Sequence, residues 1–403
     1  MRTTAKRKAL VIGGGIGGLT AALALRRSGW TVEVYEQAPV LREVGSGLMI
    51  SPNAVRVLFG LGLPHVVGRG VPVSLIELCS WKGEVLKGGR LGKEQPWYEV
   101  PGVLMHRAAL HGVLHEALGE EGLHLGAKLV RFEERWGGVQ AYFEDGREAR
   151  GDVLVGADGL RSVVRARLHP GEPLRYAGYP CWRGLVRSFS HPALPMGLLR
   201  ETQGQGARFG VGYVRQQEGL VYWWATANAP ERQPVPGGDK AFLREVFATA
   251  HAPIPELIAA TEEADLLRND LHDRLPRWQW GEGRVTLLGD AAHPMMPNMG
   301  QGACSAIEDA AVLAHALGET EDVEWALREY EVRRVDRTAW LQRTSWLFGV
   351  MAQWENPLAV WLRAWSIKLT PMSTMLKQWE RIYGWRPPTG NVASVSDSGG
   401  PGT

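Results

Sequence analysis

The residues best suited to chemistry lie in a glycine motif, GGGIGG, at residues 13–18. Gly13 permits a tight turn, Gly15 lets the backbone approach a pyrophosphate, and Gly18 lets a helix pack closely on a strand. Glu36 ends the next apolar run, where a carboxylate can accept hydrogen bonds from both ribose hydroxyls. The pattern predicts a dinucleotide site, although it does not separate NAD from FAD. A glycine turn that only packs two elements is the alternative.

A second motif, GADGLRSVVR, occupies residues 156–165 directly after the apolar run at 153–155. Asp158 can simply cap the turn that follows it, which is the structural alternative to a ligand role. The continuation DGxxSxxR favours a functional motif over a lone cap.

A third motif runs from Gly289 to Gly302 and also follows an apolar run. Asp290 stands at the carboxyl end of that strand, the edge where such sheets bind ligands. Gly300, Gln301 and Gly302 then open a helix. Glycines there allow backbone N–H groups to approach a flat ring, and the helix dipole would stabilise negative charge developing on that ring.

The elements predicted around these motifs bring them together. The mainly apolar runs at 9–12, 153–155 and 285–288 and the segment TVEVYE at 31–36 predict strands, and residues 19–27 predict a helix. The three motifs would therefore hold one dinucleotide from three separate parts of a single fold.

A change in composition between about residues 174 and 272 predicts a second sheet. Residues 176–186, 207–214 and 220–227 are rich in aromatic and β-branched residues, and 215–219 reads as a hairpin turn. An antiparallel sheet with one face towards the cofactor would form the ceiling of a substrate pocket.

Side chains on these strands are the candidates for substrate contact. They are Tyr179, Trp182, Arg208, Tyr213, Tyr222 and Trp224. Alternation places Tyr222 and Trp224 on one face, but it does not say which face looks inward. For most of the aromatic residues, burial in the sheet core is the alternative. Arg208 is either solvent-facing or has an anionic partner, and a substrate that it anchors is one such partner.

Two further residues have open roles. His293 beside the cofactor could act as an acid or base, or it could belong structurally to the turn around Asp290. Cys304 at a helix start has the dipole to lower the pKa of its thiol, or it is a small packing residue.

Composition bounds the class of protein. The 403 residues are 45% apolar and 22% charged with a net charge of +2, which gives no electrostatic case for nucleic acid. Cys79, Cys181 and Cys304 are far apart, so we expect no zinc or other metal site, no disulfide framework and a cytoplasmic protein. No run reaches the ~20 apolar residues of a membrane span.

Taken together, these motifs resemble the single-component FAD-dependent aromatic hydroxylases, the class A flavoprotein monooxygenases. The resemblance is strongest to the branch of salicylate hydroxylase and zeaxanthin epoxidase. It extends to the short motifs VGSG at 44–47, PNA at 52–54, HRAAL at 106–110, WRG at 182–184 and EDAA at 308–311.

The resemblance implies an α/β fold. A Rossmann-like FAD-binding domain of the GR2 type, similar to para-hydroxybenzoate hydroxylase, would be interleaved with a mainly antiparallel β-sheet substrate domain and followed by C-terminal helices. The implied ranges are 1–72, 100–173 and 274–386 for the FAD domain, 73–99 and 174–273 for the substrate domain, and 387–403 for a disordered tail.

The resemblance also implies roles for individual residues. FAD would be bound by Gly13, Gly15, Gly18, Glu36, Arg42, Ser46, Gly47, Arg107, Val130, Asp158, Asp290, Pro297, Gly300, Gln301 and Gly302. Substrate would be contacted by Tyr179, Trp182, Arg208, Tyr213 and Trp224, and catalysis would involve Arg208, Tyr222 and His293. The Asp158 motif is also linked to the pyridine nucleotide in such enzymes, which would explain Arg161 and Arg165.

The implied reaction uses NADH or NADPH to reduce FAD. O₂ then adds at the C4a carbon, and the C4a-hydroperoxyflavin passes one oxygen to an aromatic or conjugated polycyclic molecule by hydroxylation or epoxidation. No second GxGxxG is present, which suits a transient hydride donor. The enzyme would be a monomer or homodimer without a membrane span.

Other functions remain open at this level. A related dehydrogenase or halogenase is one alternative, although Trp278 and Trp280 are not followed by the Ile-Pro of the halogenase motif WxWxIP. A flavin-binding protein without turnover is the other alternative.

The C-terminal region from 322 to 383 predicts helices rich in tryptophan. Trp354, Trp361 and Trp365 have the spacing of one helical face. We expect this face to dock on the rest of the protein, with attachment to a membrane surface as the alternative.

Overall fold

The structure is a computed structural model that describes residues 7–41 and 46–388. The predicted FAD ligand Arg42 and nearly all of the predicted tail at 387–403 lie outside the described residues.

Eighteen strands and ten α-helices form the described part of the chain. The strands are β1 (Lys8–Ile12), β2 (Thr31–Tyr35), β3 (Gly47–Ile50), β4 (Val71–Pro72), β5 (Leu75–Ser80), β6 (Val85–Arg90), β7 (Val103–His106), β8 (Leu123–His124), β9 (Leu129–Arg135), β10 (Gly138–Phe143), β11 (Glu148–Gly151), β12 (Val153–Gly156), β13 (Arg175–Val186), β14 (Leu198–Gln203), β15 (Ala207–Arg215), β16 (Leu220–Ala227), β17 (Leu267–Asp273) and β18 (Val285–Leu287). The helices are α1 (Ile16–Arg27), α2 (Pro52–Gly60), α3 (Arg107–Leu118), α4 (Val163–Leu168), α5 (Asp239–Val246), α6 (Ile254–Ala260), α7 (Gly302–Glu319), α8 (Val323–Ala352), α9 (Pro357–Leu369) and α10 (Met372–Tyr383).

A five-stranded parallel sheet carries the three glycine motifs. Its order is β18-β12-β1-β2-β8, and each motif follows one of its three strands β1, β12 and β18. These strands are continuous runs of buried apolar residues because helices cover the sheet, as parallel sheets require. The carboxyl ends of the three strands therefore bring the motifs to one edge.

A seven-stranded mixed sheet forms the second layer, in the order β17-β13-β16-β15-β14-β5-β6. One face packs on α5 and α6, with Phe209, Trp223 and Phe247 fully buried between them. The opposite face carries Tyr222 and Trp224 and belongs to another cluster. Strict alternation along β15 and β16 thus separates a structural face from a face directed towards the parallel-sheet layer.

Two three-stranded antiparallel sheets complete the strands, in the orders β11-β10-β9 and β3-β7-β4. The predicted α/β architecture is confirmed, with a parallel sheet, a mainly antiparallel sheet and C-terminal helices. The strand predicted at 220–227 is observed over the same residues, and the one predicted at 207–214 extends one residue further.

The tryptophan-rich end differs from the prediction. Helix α8 ends at Ala352, so Trp354 lies in the link before α9 and does not share a helix with Trp361 and Trp365. The expected docking of this face is also wrong, because Trp361 and Trp365 are exposed and the only buried side chain of α9 is Arg363.

Candidate active site

The turn between β1 and α1 has the shape that a pyrophosphate needs. Gly13 has φ of +109°, and a Cβ there would overlap Ala157 O, so the first two motifs touch. A Cβ on Gly18 would overlap Gly13 O, whereas one on Gly15 would meet no atom within 4 Å. Gly15 also begins α1 without a side-chain cap, which leaves the N–H groups of the helix start for a ligand.

Glu36 is fixed at the end of β2 by backbone groups. Its Oε2 accepts from Gly14 N at 2.7 Å and its Oε1 accepts from Ala38 N at 2.8 Å. His111 Nε2 lies 2.8 Å from Gly14 O and ties α3 to the same turn. The carboxylate is therefore preorganised beside the glycine turn, as binding of a ribose requires.

Asp158 caps its own turn. Its Oδ1 accepts from Ser162 Oγ at 2.5 Å and its Oδ2 from Val163 N at 2.7 Å. The structural alternative for this residue is therefore observed, and it shapes the loop that touches Gly13.

The proposed nucleotide contact of Arg165 is wrong, because this side chain is buried and fully engaged. Its Nη1 donates to Ala291 O and Ala292 O at 2.8 and 2.6 Å, and its Nε donates to Glu172 Oε2 at 2.8 Å. Arg165 therefore holds the turn after Asp290, while Arg161 is exposed.

Asp290 lies open to a cleft but is enclosed by protein on its other sides, and this desolvation raises the pKa of its carboxyl. Arg107 and His293 oppose the shift through their charge. A Cβ on Gly302 would stand 3.8 Å from Asp290 Oδ1, so the third motif folds back on itself around the carboxylate.

The turn at Pro297–Met299 leads into α7 through Gly300, which has φ of +61°. Gln301 begins α7 without a side-chain cap on the helix start, so the first N–H groups of this 18-residue helix are free of side chains. The Gln301 amide is instead held by Asn53 and Ser51, at 3.1 and 3.0 Å. Neither of these two was predicted as a site residue, although Asn53 lies in the PNA motif.

Ser46 and Gly47 connect the two layers. Ser46 O accepts from Arg107 N at 3.0 Å, and the Ser46 side chain lies beside the Tyr222 hydroxyl. A Cβ on Gly47 would overlap the Tyr222 ring, so only glycine lets β16 approach this closely. The predicted ceiling of the pocket thus meets the predicted cofactor residues at Gly47.

The cleft fits FAD. Two long helices begin at it without side-chain caps, Gly15 leaves open space where a backbone-hugging pyrophosphate would lie, and Glu36 and Asp290 offer carboxylate acceptors. Anionic phosphates and the hydroxyls of a ribose or ribityl chain are the groups that such donors and acceptors bind.

The position of Val130 does not test its predicted contact with FAD. It is exposed on β9, three residues beyond Ala127, whose N–H donates to Glu36 O at 2.8 Å. Its contact with FAD stays a prediction.

Four of the six substrate candidates share the inward face of the seven-stranded sheet. Arg208 is 2% exposed, and its Nη2 donates to Asn298 Oδ1 at 2.7 Å. Tyr179 lies beside the same amide, with its hydroxyl 3.2 Å from Asn298 Nδ2, and Trp224 is tilted against Tyr222 with ring centroids 5.7 Å apart. The solvent-facing alternative for Arg208 is therefore wrong.

Trp182 and Tyr213 were predicted to contact substrate, and this is wrong. Both lie on the opposite face, in the cluster with α5 and α6. The Trp182 indole donates to Asp239 Oδ1 at 2.8 Å, and the Tyr213 hydroxyl donates to Phe189 O at 3.1 Å. Alternation along a strand divides residues between two faces, but the sequence does not say which face lies towards the site. The prediction for these two residues failed for that reason.

His293 is 1% exposed and is engaged by buried neighbours. Its Nε2 lies 2.6 Å from Asp309 Oδ2, and its ring packs on Trp280. A group so enclosed has no access to substrate, so the structural alternative replaces the predicted acid or base role. Cys304 is likewise a packing residue, because burial raises the pKa of its thiol to about 11.

Asn298 and Gln353 are site residues that the sequence reasoning missed. Asn298 joins Arg208 to α8 by donating from Nδ2 to Ser345 O at 2.8 Å, and Gln353 Oε1 accepts from Arg208 Nε at 3.2 Å. The position of Asn298 directly after Pro297 in the third motif was the available signal. Gln353 carried none.

Among the described residues, no group of three or more His, Cys, Asp or Glu side chains could hold a metal ion. No helix in residues 7–41 and 46–388 has both the length and the apolar content to cross a bilayer.

Comparison with known proteins identifies the class. A family model described as an FAD binding domain matches residues 6–345. Aurachin C monooxygenase/isomerase of Stigmatella aurantiaca is 42% identical over 355 residues, covering 88% of this chain and 92% of the relative. The 2-heptyl-3-hydroxy-4(1H)-quinolone synthase of Pseudomonas aeruginosa is 31% identical over 385 residues, covering 93% and 97%.

A solved structure gives the same result. Klebsiella pneumoniae HpxO complexed with FAD and uric acid superposes with a TM-score of 0.85 at 30% identity, covering 92% of this chain and 95% of that one. The chain belongs to the FAD-binding family of class A flavin monooxygenases. It is an FAD-dependent monooxygenase of aromatic small molecules, as the motifs predicted, and its class uses NAD(P)H and O₂.

Proposed function

We propose that this monooxygenase hydroxylates an aromatic or heteroaromatic ring that carries an acidic hydroxyl, ring N–H or carboxylate group, and that Arg208 binds the resulting anion. The observation that carries the proposal is a buried guanidinium on the cofactor-facing side of the substrate sheet, held mainly by neutral groups.

The surroundings of Arg208 leave its charge largely uncompensated. Its hydrogen bonds go to Thr226, Gln353 and Asn298, which are all neutral. Glu201 is the nearest carboxylate among the described residues, at 3.8 Å, and it also accepts from Gln203 Nε2 at 3.0 Å. Burying a guanidinium whose single carboxylate neighbour stands 3.8 Å away costs free energy, which an anionic ligand would offset.

A second buried arginine, Arg363, adds to the positive charge around Arg208. Burial and the neighbouring charge of Arg208 lower the pKa of Arg363 to about 10. The guanidinium groups of Arg208 and Arg363 interact electrostatically with each other and with the carboxylate of Glu201. The two positive charges exceed the one negative charge, and this favours binding of an anion near Arg208.

The aromatic side chains on the same face support a flat substrate. Tyr179 and Trp224 line the region beside Asn298 and Met296. Burial raises the pKa of the Tyr222 phenol well above its ordinary value, so this side chain stays neutral and can donate a hydrogen bond. Stacking and one hydroxyl donor would orient the ring with its acidic group towards Arg208.

FAD, when bound, supplies hydride acceptance from NAD(P)H and the activation of O₂. The chain contributes the uncapped start of α7, whose N–H groups and dipole stabilise negative charge at the cleft. The close approach of Tyr222 to Gly47 narrows the space between sheet and cleft, which helps to exclude water from the reacting ring.

The relatives support an acidic heteroaromatic substrate. Uric acid, the compound bound in the HpxO complex, carries ionisable ring N–H groups, and the 3-hydroxy-4(1H)-quinolone in the name of the Pseudomonas relative is the compound which that enzyme makes.

The test is the steady-state kinetics of Arg208→Gln with a panel of acidic aromatics and their O- or N-methylated neutral analogues. Loss of a charge-assisted hydrogen bond of about 1.5–3 kcal/mol predicts that KM for the acidic compounds rises about 10- to 100-fold. KM for the neutral analogues should change little. Arg215→Gln, at the exposed end of the same strand, is the matched control.

An Arg208→Gln enzyme with unchanged KM and unchanged coupling of NAD(P)H consumption to product would overturn the role of Arg208. Retained FAD content and thermal stability would show that the variant is folded.

Three broader features are also proposed. The division into an FAD unit (1–72, 100–173 and 274–386) and a substrate unit (73–99 and 174–273) is supported by the two separate sheets. The cytoplasm is supported by three buried, unpaired cysteines. For the assembly in solution we propose a monomer or a homodimer.

A further inference from the structure

The outer face of α9 is an uncovered apolar stripe. It consists of Leu358, Trp361, Leu362, Trp365 and Leu369, and Met372 at the start of α10 continues it. The five residues of α9 have the spacing i, i+3, i+4, i+7 and i+11 of one helical face, and Met372 follows after the break between the two helices. All six are exposed, and Trp361 remains 55% exposed. A face of this composition would normally point into a core.

The stripe continues onto the last turns of α8. Leu347, Val350 and Met351 are also exposed and share one helical face at the end of α8, and the exposed Trp354 follows in the link to α9. The two segments together define what we call the α8–α9 patch. Exposed apolar side chains concentrated on two consecutive segments are typical of an interaction site.

The inner side of α9 is firmly anchored. Arg363 Nη1 donates to Met351 O at 2.9 Å and Ala352 O at 2.8 Å, and its Nη2 donates to Gly204 O at 2.8 Å. These bonds satisfy carbonyls at the end of α8 and join α9 to the loop before β15. The tryptophan face is therefore held outwards by a buried arginine.

The surroundings of the patch are basic. Residues 343–388 contain six Arg and Lys but only two Glu, in a chain whose total net charge is +2. Arg343, Lys377 and Arg381 are exposed among them, whereas Lys368 pairs with Glu84 at 2.6 Å and Arg386 pairs with Glu99. An anionic surface is therefore complementary to this end of the molecule.

We propose that the α8–α9 patch binds the surface of an anionic phospholipid bilayer, with α9 lying in the plane of the interface. Tryptophan and leucine on one face of a helix, with lysine and arginine around it, are the composition of interfacial helices. Tryptophan is also enriched where acyl chains meet headgroups.

A second copy of the chain fits the patch less well. A two-fold interface places the same surface against itself, so the basic residues around the patch would face one another across it. Juxtaposed like charges oppose association, whereas phosphatidylglycerol or another anionic lipid neutralises them.

The patch adjoins the substrate sheet. Trp354 O accepts from Gly206 N at 2.9 Å, and the preceding Gln353 bonds to Arg208. If the proposed function holds, the patch lies next to the substrate site. Lipid binding itself does not depend on that function.

The experiment is flotation of the FAD-loaded full chain with vesicles of phosphatidylglycerol and phosphatidylcholine, and with vesicles of phosphatidylcholine alone. We expect binding to the anionic vesicles that falls with added salt and is much weaker on phosphatidylcholine. The double variant Trp361→Gln/Trp365→Gln should reduce the bound fraction by about tenfold or more. Trp325→Gln is the matched control, since Trp325 is a 51% exposed tryptophan at the start of α8.

Protein that stays unbound on anionic vesicles at low salt would overturn the proposal, as would equal loss of binding in the Trp325 control. A concentration-dependent dimer in light scattering that the double variant dissociates, without vesicle binding, would assign the patch to a second copy. NAD(P)H oxidation without vesicles is measured separately, so failure of the monooxygenase function is distinguished from failure of lipid binding.

Discussion

Glu36 illustrates how one side chain determines cofactor binding. Its two oxygens accept from Gly14 N and Ala38 N, so the carboxylate is already oriented before a ribose arrives. In Glu36→Gln the amide nitrogen must face one of these N–H groups or the ribose hydroxyls. We expect the Kd for FAD to rise about 10- to 100-fold, the equivalent of one lost charge-assisted hydrogen bond.

The measurement is titration of the FAD-free protein with FAD, followed by quenching of flavin fluorescence. Glu33→Gln is the control, because Glu33 lies on the same strand and pairs with Lys8 at 2.7 Å. Equal affinities for the Glu36 variant and the control would contradict the ribose role.

At the scale of elements, helix α8 orients the side-chain amide of Asn298, which accepts a hydrogen bond from Arg208. A Cβ on Gly349 would overlap both Asn298 Nδ2 and the Tyr179 hydroxyl. Gly349→Ala should displace Asn298 from Arg208 and raise KM for acidic substrates by about tenfold, with little loss of FAD content. Steady-state kinetics and the flavin absorbance of the purified variant report the two quantities.

Gly112→Ala provides a matched control on α3. A Cβ at Gly112 would meet no atom within 4 Å, so the helix should gain slight stability without a change in KM. An unchanged KM in Gly349→Ala would show that Asn298 is not set by α8.

The contact between α7 and α8 makes the stability of the fold depend on pH. Burial raises the pKa of Asp309, but the charges and hydrogen bonds of His293 and Arg334 outweigh this and lower it below the ordinary value. A carboxylate with a lowered pKa stabilises the fold above its unfolded-state pKa of about 4, and that stability is lost as the pH falls through the folded value.

The thermal unfolding temperature of the wild-type protein should therefore be nearly constant above about pH 5 and fall steeply below about pH 4. Asp309→Asn should lower the free energy of unfolding by about 3–5 kcal/mol at neutral pH, because it leaves Arg334 underpaired, and should flatten the acid fall. Asp336→Asn, exposed on α8, is the control. Parallel pH profiles for wild type and Asp309→Asn would contradict the assignment.

At the scale of the whole molecule, the cofactor half could be predicted from the sequence. Its strands are continuous apolar runs, and its motifs need particular residues, such as glycine at Gly13 and Gly18, for steric reasons. The family comparisons confirm the monooxygenase that these motifs indicated.

The substrate half was less predictable. The role of each residue there depends on which face of the sheet lies towards the site and on contacts between residues far apart in the sequence. Alternation correctly placed Tyr222 and Trp224 on one face of β16, but it could not say that Arg208 faces the candidate site and that Tyr213 faces α5 and α6. Arg165 and His293 looked like ligand residues by type, and only their tertiary partners Ala291 O and Asp309 show that they support a turn.

The most direct test of the central claim uses ¹⁸O₂ with the FAD-loaded enzyme, NAD(P)H and an acidic heteroaromatic such as a hydroxyquinolone. Its O-methyl ether serves as the neutral comparison. The account predicts substrate-stimulated NAD(P)H consumption, one ¹⁸O atom in the hydroxylated product, and turnover of the ether at least about tenfold less efficient in kcat/KM. Product without ¹⁸O, or equal efficiency for the acid and its ether, would contradict it.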